Sequence, residues 1–404
     1  MKDFFLESIE DLKPEILTNL LRNNWEIPVD FRGVERLSVE RVEEGVLSQV
    51  YRVFVQYDVK GAEETKSELP KQWIVKLPRK DMPLEWMFLS EKVFYESVAP
   101  IINQSSLPFT VPRTLCAAEK YLILEGIEDS TCYSLISGTP AEKIDYVTFA
   151  LASLHARTWK STIVESKARE LSNTPGMGQR LHPLQKEYLF TKQWREAVDA
   201  VDNLEPSVHR STIHLCELME VRRLRDIHHM VHSERYACIH GDFHIANFLF
   251  PNDDSKTPVL VDWATFGFGN PMTDLAFFMV LNESVASNAE GWLRKYHQNL
   301  TQCSPTLVGS FPLEVMLEKF RWAILCQWTI LVAYDKMSRQ LAAADRDSPQ
   351  SEIKLRHFAN VNRRAVLAMN SLGNFETFLD TIPLATEQES AEAQKYCIET
   401  PLSI

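Results

Sequence analysis

Residues 240–250 read HGDFHIANFLF, and three of their side chains carry chemistry. Asp242 and Asn247 stand five apart. A carboxylate there can take a proton from an attacking hydroxyl, and an amide oxygen is a hard donor suited to a divalent cation. Asp242 and His244 together also form a Gly-Asp-x-His, the kind of pair that ligates metal in a metallophosphoesterase. That second reading needs an upstream D-x-H, a separate G-D-x-x-D and a downstream G-N-H-[DE], and the chain has none of them. Zinc is a third possibility, because His228, His229, His232, His240 and His244 fall close together. With no cysteine pair and no H-E-x-x-H to complete a site, they read as helix-surface and loop histidines. His240 is expected to pack beneath the loop, with His244 towards substrate.

The stretch after Asn247 supplies a second acid. Phe248-Leu249-Phe250 and Val259-Leu260-Val261 flank the turn-rich PNDDSKTP and read as a β-hairpin. Pairing Phe250 with Val259 would set Asn247 opposite Asp262. Amide and carboxylate would then offer few, hard oxygen ligands, leaving room for phosphate and water.

Upstream, QWIVKL alternates Trp73, Val75 and Leu77 on one face with Ile74 and Lys76 on the other, placing a lysine on a strand. A helix is expected from about Leu84 to Ile102, with Met87, Glu91, Phe94 and Val98 on one stripe. A carboxylate inside an apolar stripe either finds a partner or lies at an edge and reaches water.

These groups must be held by larger elements. After an opening helix, the segment from about Leu37 to Leu77 reads as strands around a polar linker, GAEETKSELPK, and FTVPRTLCAA and KYLILEGI add two strand-like pieces. From Thr139 the chain is mainly helical, with Ile144, Val147, Leu151, Leu154 and Thr158 on one amphipathic face. GMGQRLHP, near Met177, reads as a loop and the last dozen residues as a tail. Trp292, Tyr296, Trp322 and Trp328 could line a substrate pocket, although aromatic residues on helices more often build core.

Composition narrows the class. The 404 residues, 45% hydrophobic and 24% charged, suit two packed units. A formal charge of -12 argues against nucleic acid or an anionic membrane as the main partner. Seven scattered cysteines without C-x-x-C read as reduced thiols, and MKDFFLESIEDLKPEI lacks the basic-then-apolar order of a signal peptide. No apolar run spans a membrane. AILCQWTILVAY, from Ala323, is too short and holds Gln327. A cytoplasmic location is expected.

Taken together, HGDFHIAN, VLVDW and GNPMTDLA resemble the aminoglycoside phosphotransferase and choline-kinase-like superfamily, over roughly residues 35–335. The EKVFY, ALASLHARTW and LRKYHQNL segments look closest to its ecdysteroid-kinase-like branch. The resemblance implies an α+β, two-lobed protein-kinase-like fold, with a small N-terminal antiparallel β-sheet lobe carrying one helix and a large helical C-terminal lobe. Expected boundaries are a nucleotide-binding lobe at 1–127 (helical extension 1–36), a catalytic and substrate-binding lobe at 128–390, and a tail at 391–404. It also implies an ATP- and Mg²⁺-dependent transfer of phosphate to a hydroxylated small molecule. By that likeness Asp242 is the base, Asn247 and Asp262 hold Mg²⁺, and Lys76 meets phosphate with Glu91 as its partner. Gly45 and Ser48 belong to the nucleotide-covering turn, and backbone groups of Glu125 and Ile127 meet adenine. Asp274 braces the loop, although beside Thr273 it could simply cap its own helix. Gly241 stands where many protein kinases have arginine, and Asp262-Trp263-Ala264 lacks the glycine of D-F-G, which disfavours activation-loop control and a protein substrate. The alternatives are a choline- or ethanolamine-type kinase and a catalytically silent nucleotide-binding scaffold.

Overall fold

The computed structural model describes residues 6–42, 48–60, 69–79, 85–134, 138–171, 206–253, 255–307, 309–344, 360–361, 363–373 and 375–391. Gly45, the GMGQRLHP stretch and the tail after 391 lie outside them. The chain forms two compact units. One draws on residues 1–132, 166–177 and 247–266, and the other on 133–165, 178–246 and 267–404.

The first unit is built on a five-stranded antiparallel sheet. Its strands are β1 (Phe31–Arg41), β2 (Ser48–Val59), β3 (Gln72–Pro78), β4 (Thr114–Ala117) and β5 (Leu122–Glu125), in the order β1-β2-β3-β5-β4. β1 begins six residues before the expected Leu37, inside the stretch read as a helical extension. The expected alternation holds in β3: Trp73, Val75 and Leu77 are buried in a core shared with Val53, Leu115 and Ile123. Helix α1 (Pro14–Asn24) starts on a proline, whose missing N–H costs nothing at that position, and adds Leu17 and Leu21 to the core. Thr18 ties α1 to β1, since its hydroxyl donates to Pro14 O at 2.8 Å and accepts from Val34 N at 2.8 Å. Trp25 meets Trp73 edge-on at 4.8 Å, and the Arg113 guanidinium lies 4.2 Å above the Trp25 ring.

The helix expected at 84–102 is interrupted. It runs over Glu85–Val93, widens to a π turn at Phe94–Val98, and resumes over Ala99–Asn103. The amide of Ala99 donates to the carbonyl of Phe94, five residues back. The extra residue falls where the adjacent Phe94 and Tyr95 are both buried.

A second small sheet completes this unit, with Ser130–Cys132 and Val259–Leu260 on either side of Phe248–Pro251. The hairpin forms, but its register differs by one from the expected pairing. Phe248 lies opposite Leu260 and Leu249 opposite Val259, and the Val261 amide closes the ladder on Asn247 O at 2.9 Å. Asp262 then leaves the strand with φ 64°. This left-handed turn takes it off the ladder instead of setting it across from Asn247.

The second unit is mainly helical. Ala141–Thr158 packs against Ala289–Cys303, and Met272–Val280 and Leu224–His232 both pack against the long Leu313–Ala344. Ile144, Val147, Leu151, Leu154 and Thr158 form the buried face of the first of these helices, as their spacing predicts. Two short antiparallel strands, Ala237–Ile239 and Gly267–Gly269, pair within it. The end of helix Ala141–Thr158 is fastened to the first of these strands, because Thr158 Oγ1 accepts the Cys238 amide at 3.0 Å. Among the described residues no helix is long and apolar enough to cross a membrane.

Candidate active site

In the first unit Lys76 sits on β3, with β2 on one side and β5 on the other. Its aliphatic stem is enclosed, and its ammonium lies 2.8 Å from Glu91 Oε1 and 3.0 Å from Asp262 Oδ1. Glu91 is 1% exposed, so it is the paired acid of the stripe and not an edge residue. The Asp262 carboxylate, by contrast, is 44% exposed. The neighbouring Trp263 positions it: this ring stacks on Phe94 at 4.0 Å and 10°, and its indole N–H donates to Leu260 O at 3.1 Å. The helix that carries Glu91 therefore also anchors the segment that carries Asp262.

Charge in this cluster is unevenly supported. Burial opposes the Lys76 ammonium, but the attraction of Asp262 and Glu91 outweighs it and holds its pKa above the usual lysine value. Burial pushes the Glu91 carboxyl up to about 7 against the pull of Lys76, and the nearby Asp262 adds to the rise. Tyr95 is buried close by, its hydroxyl without a hydrogen-bond partner among the described residues. Burial, followed by Glu91 and Asp262, raises that phenol well above its ordinary value.

Asn247 is buried at the start of the hairpin. Its backbone is held by Val261, while Thr110 brackets the opposite strand, donating to Pro258 O and accepting from Leu260 N. Asn247 and Asp262 offer an amide and a half-exposed carboxylate, the hard oxygen donors that Mg²⁺ prefers, so the residues present fit that ion. Ser48 opens β2 opposite Pro78, two residues before Val50, which pairs with Lys76. At the expected hinge the Glu125 amide is committed to Arg113 O at 2.8 Å, and its carboxylate accepts two bonds from the Arg113 guanidinium. Gly126 is required here, since a Cβ would lie 2.5 Å from Gln72 Cγ. Ile127 follows, half-buried.

The second unit holds the loop. The strand Ala237–Ile239 delivers His240, and Gly241 turns the chain with φ 83°, a conformation that favours glycine. Asp274, fully buried near the start of Met272–Val280, does not cap that helix, which Asn270 does by accepting the Met272 amide at 3.0 Å. Asp274 instead accepts the His240 amide at 2.7 Å and the Gly241 amide at 2.8 Å. His240 is buried, and its Nδ1 accepts the Asp242 amide at 3.3 Å. Phe243 plugs into the core against Phe278, whereas the Asp242 carboxylate stays 38% exposed, with His244 Nε2 3.3 Å from it. His244 thus stands beside the acid. Among the described residues no three His, Cys, Asp or Glu side chains gather as a metal cluster.

One residue was not singled out from sequence, and it contacts an aromatic that was. His155 Nε2 lies 3.4 Å from Asp274 Oδ2, and its Nδ1 lies 2.7 Å from the hydroxyl of Tyr296. Tyr296, Trp322 and Trp328 are buried core residues and not pocket lining.

No curated protein is significantly similar in sequence. Among solved structures, a choline kinase from Cryptosporidium parvum superposes with a TM-score of 0.51 at 12% identity, covering 91% of this chain and 99% of that one. A Plasmodium vivax ethanolamine kinase gives 0.46 at 11% identity over 81% and 82% of the two chains. A putative aminoglycoside phosphotransferase from Ralstonia eutropha gives 0.45 at 14%, over 88% and 97%. At such identities the first likeness is one of fold, and it is the α+β, two-lobed protein-kinase-like fold expected from the sequence. The model of the ecdysteroid kinase-like family matches residues 43–308, well over half of the chain and every cluster described above, and this protein therefore belongs to that family and is an enzyme of the small-molecule kinase class.

Proposed function

We propose that the protein transfers the γ-phosphate of ATP to a hydroxyl of a small molecule, such as a steroid, an alkaloid or an amino-alcohol. The observation that carries this reading is the meeting of Lys76 with both Glu91 and Asp262. Strand lysine, helix acid and hairpin acid are brought together from distant points in the sequence. Lys76 would then offset phosphate charge, with Glu91 holding it in place. Asn247 and Asp262 would hold Mg²⁺, which when bound neutralises charge on the phosphates.

Asp242 would orient the acceptor hydroxyl and take its proton, and its exposure supports that role. Asp274 and His240 would keep the loop in shape. Gly45 and Ser48 would cover the nucleotide, and backbone groups of Glu125 and Ile127 would meet adenine. On this reading residues 1–127 form the nucleotide lobe, 128–390 the catalytic and acceptor lobe, and 391–404 a tail.

The test is a screen of hydroxylated metabolites with Mg·ATP, read as added phosphate by mass, with Asp242→Asn as control. Turnover is expected to fall by about 10²–10⁴-fold in the variant. Persistent turnover would remove Asp242 from the role of base, and inactivity of the wild-type protein towards every acceptor and towards ATP itself would favour a silent scaffold.

A further inference from the structure

We propose that Tyr296 is a positioning residue for the catalytic loop, fixing the tautomer of His155 and through it the orientation of Asp274. The proposal rests on the kinase reading only for its activity readout.

The three side chains come from three helices, Ala141–Thr158, Met272–Val280 and Ala289–Cys303, and all are fully buried. Asp274 has given one oxygen to the Gly241 amide and the other to the His240 amide. The second oxygen also faces His155 Nε2 at 3.4 Å. A nitrogen lone pair there would set two acceptors against each other away from water, so Nε2 must carry the hydrogen. In a neutral imidazole this leaves Nδ1 as an acceptor, and its 2.7 Å contact with Tyr296 is then a bond donated by the phenol. Tyr296 is suited to that duty. Burial, with Asp274 and Cys303 adding to it, keeps its proton bound far above the ordinary tyrosine range. Without the hydroxyl, Nδ1 has no donor from that side, and the ring is released to the other tautomer or to a second proton. Either change alters what the carboxylate that holds the His240 and Gly241 amides meets.

The full chain labelled with ¹⁵N-histidine tests this, with His155 assigned by its loss in His155→Gln. The wild-type spectrum is expected to show His155 as the Nε2-protonated tautomer. Tyr296→Phe should mix in the Nδ1-protonated form or the imidazolium. It should also lower kcat for acceptor-free hydrolysis of Mg·ATP by about tenfold, with KM for ATP changed by less than about twofold. A wild-type spectrum showing Nδ1–H, or a variant with unchanged tautomer and kcat, overturns the proposal. Should the variant not fold, the wild-type spectrum decides alone. If the wild-type protein turns over no ATP, the kinase reading fails while the tautomer result stands.

Discussion

Among the described residues each unit buries one carboxylate of the candidate site, and the two are stabilised by different means. Glu91 is held by a cation, Lys76, which it shares with Asp262. Asp274 is held by two backbone amides and a histidine. A carboxylate that relies on one shared ammonium in a dry setting is poised near neutrality, as the rise of Glu91 to about 7 shows. One that relies mainly on main-chain donors has partners whose own charge does not change with pH, because amides do not titrate. The first arrangement suits a place where charge arrives and leaves, and the second suits one where geometry must stay fixed.

The largest expected effect separates the two directly. Lys76→Met strands the buried Glu91, and at pH 8 urea unfolding should show a loss of about 3–5 kcal/mol. At pH 6 the loss should be smaller. A carboxyl whose folded pKa is raised destabilises progressively as pH climbs from its unfolded value to its folded one; removing Lys76 moves that upper limit above about 7, so variant and wild type part only at the higher pH. Equal losses at the two pH values would break the contrast. Asp274→Asn should cost about 2–3 kcal/mol, from amides left imperfectly paired, and by the same amount at both pH values. A strong pH dependence there would show that His155, and not the backbone, dominates its support. Least is expected of Phe94→Leu, which removes the stack on Trp263. About 1 kcal/mol should be lost in the same assay, with a fall in turnover larger than that figure implies if the stack aims Asp262.

Much of the first cluster was legible because its signals are local. Period-two alternation placed Lys76 opposite Trp73, Val75 and Leu77, and a helical stripe left Glu91 either a partner or an edge position. The hairpin was legible from its turn, but its register was not. The geometry of the turn sets it, and the departure of Asp262 from the strand was hidden as well, because an aspartate accepts a left-handed turn without announcing it in the pattern of apolar residues. The π turn was hidden for a similar reason, since Met87, Glu91, Phe94 and Val98 satisfy an unbroken helix equally well. His155 left no mark at all, and Tyr296 was named only among aromatics that could line a pocket or build core. Their partners lie more than a hundred residues away in the chain, and a histidine or tyrosine on an apolar face reads as ordinary core until its neighbours are known.

The π turn at Phe94–Val98 also bears on how this segment can change in length. A bulge of this kind holds one residue more than the helix needs while leaving the helix on either side in phase. A single deletion at its exposed Glu96 is therefore the shortening that this helix could accept with Glu91 and Ile102 still facing as they do. A deletion one turn earlier would swing Glu91 away from Lys76. Length variation among related chains should accordingly collect within those five residues.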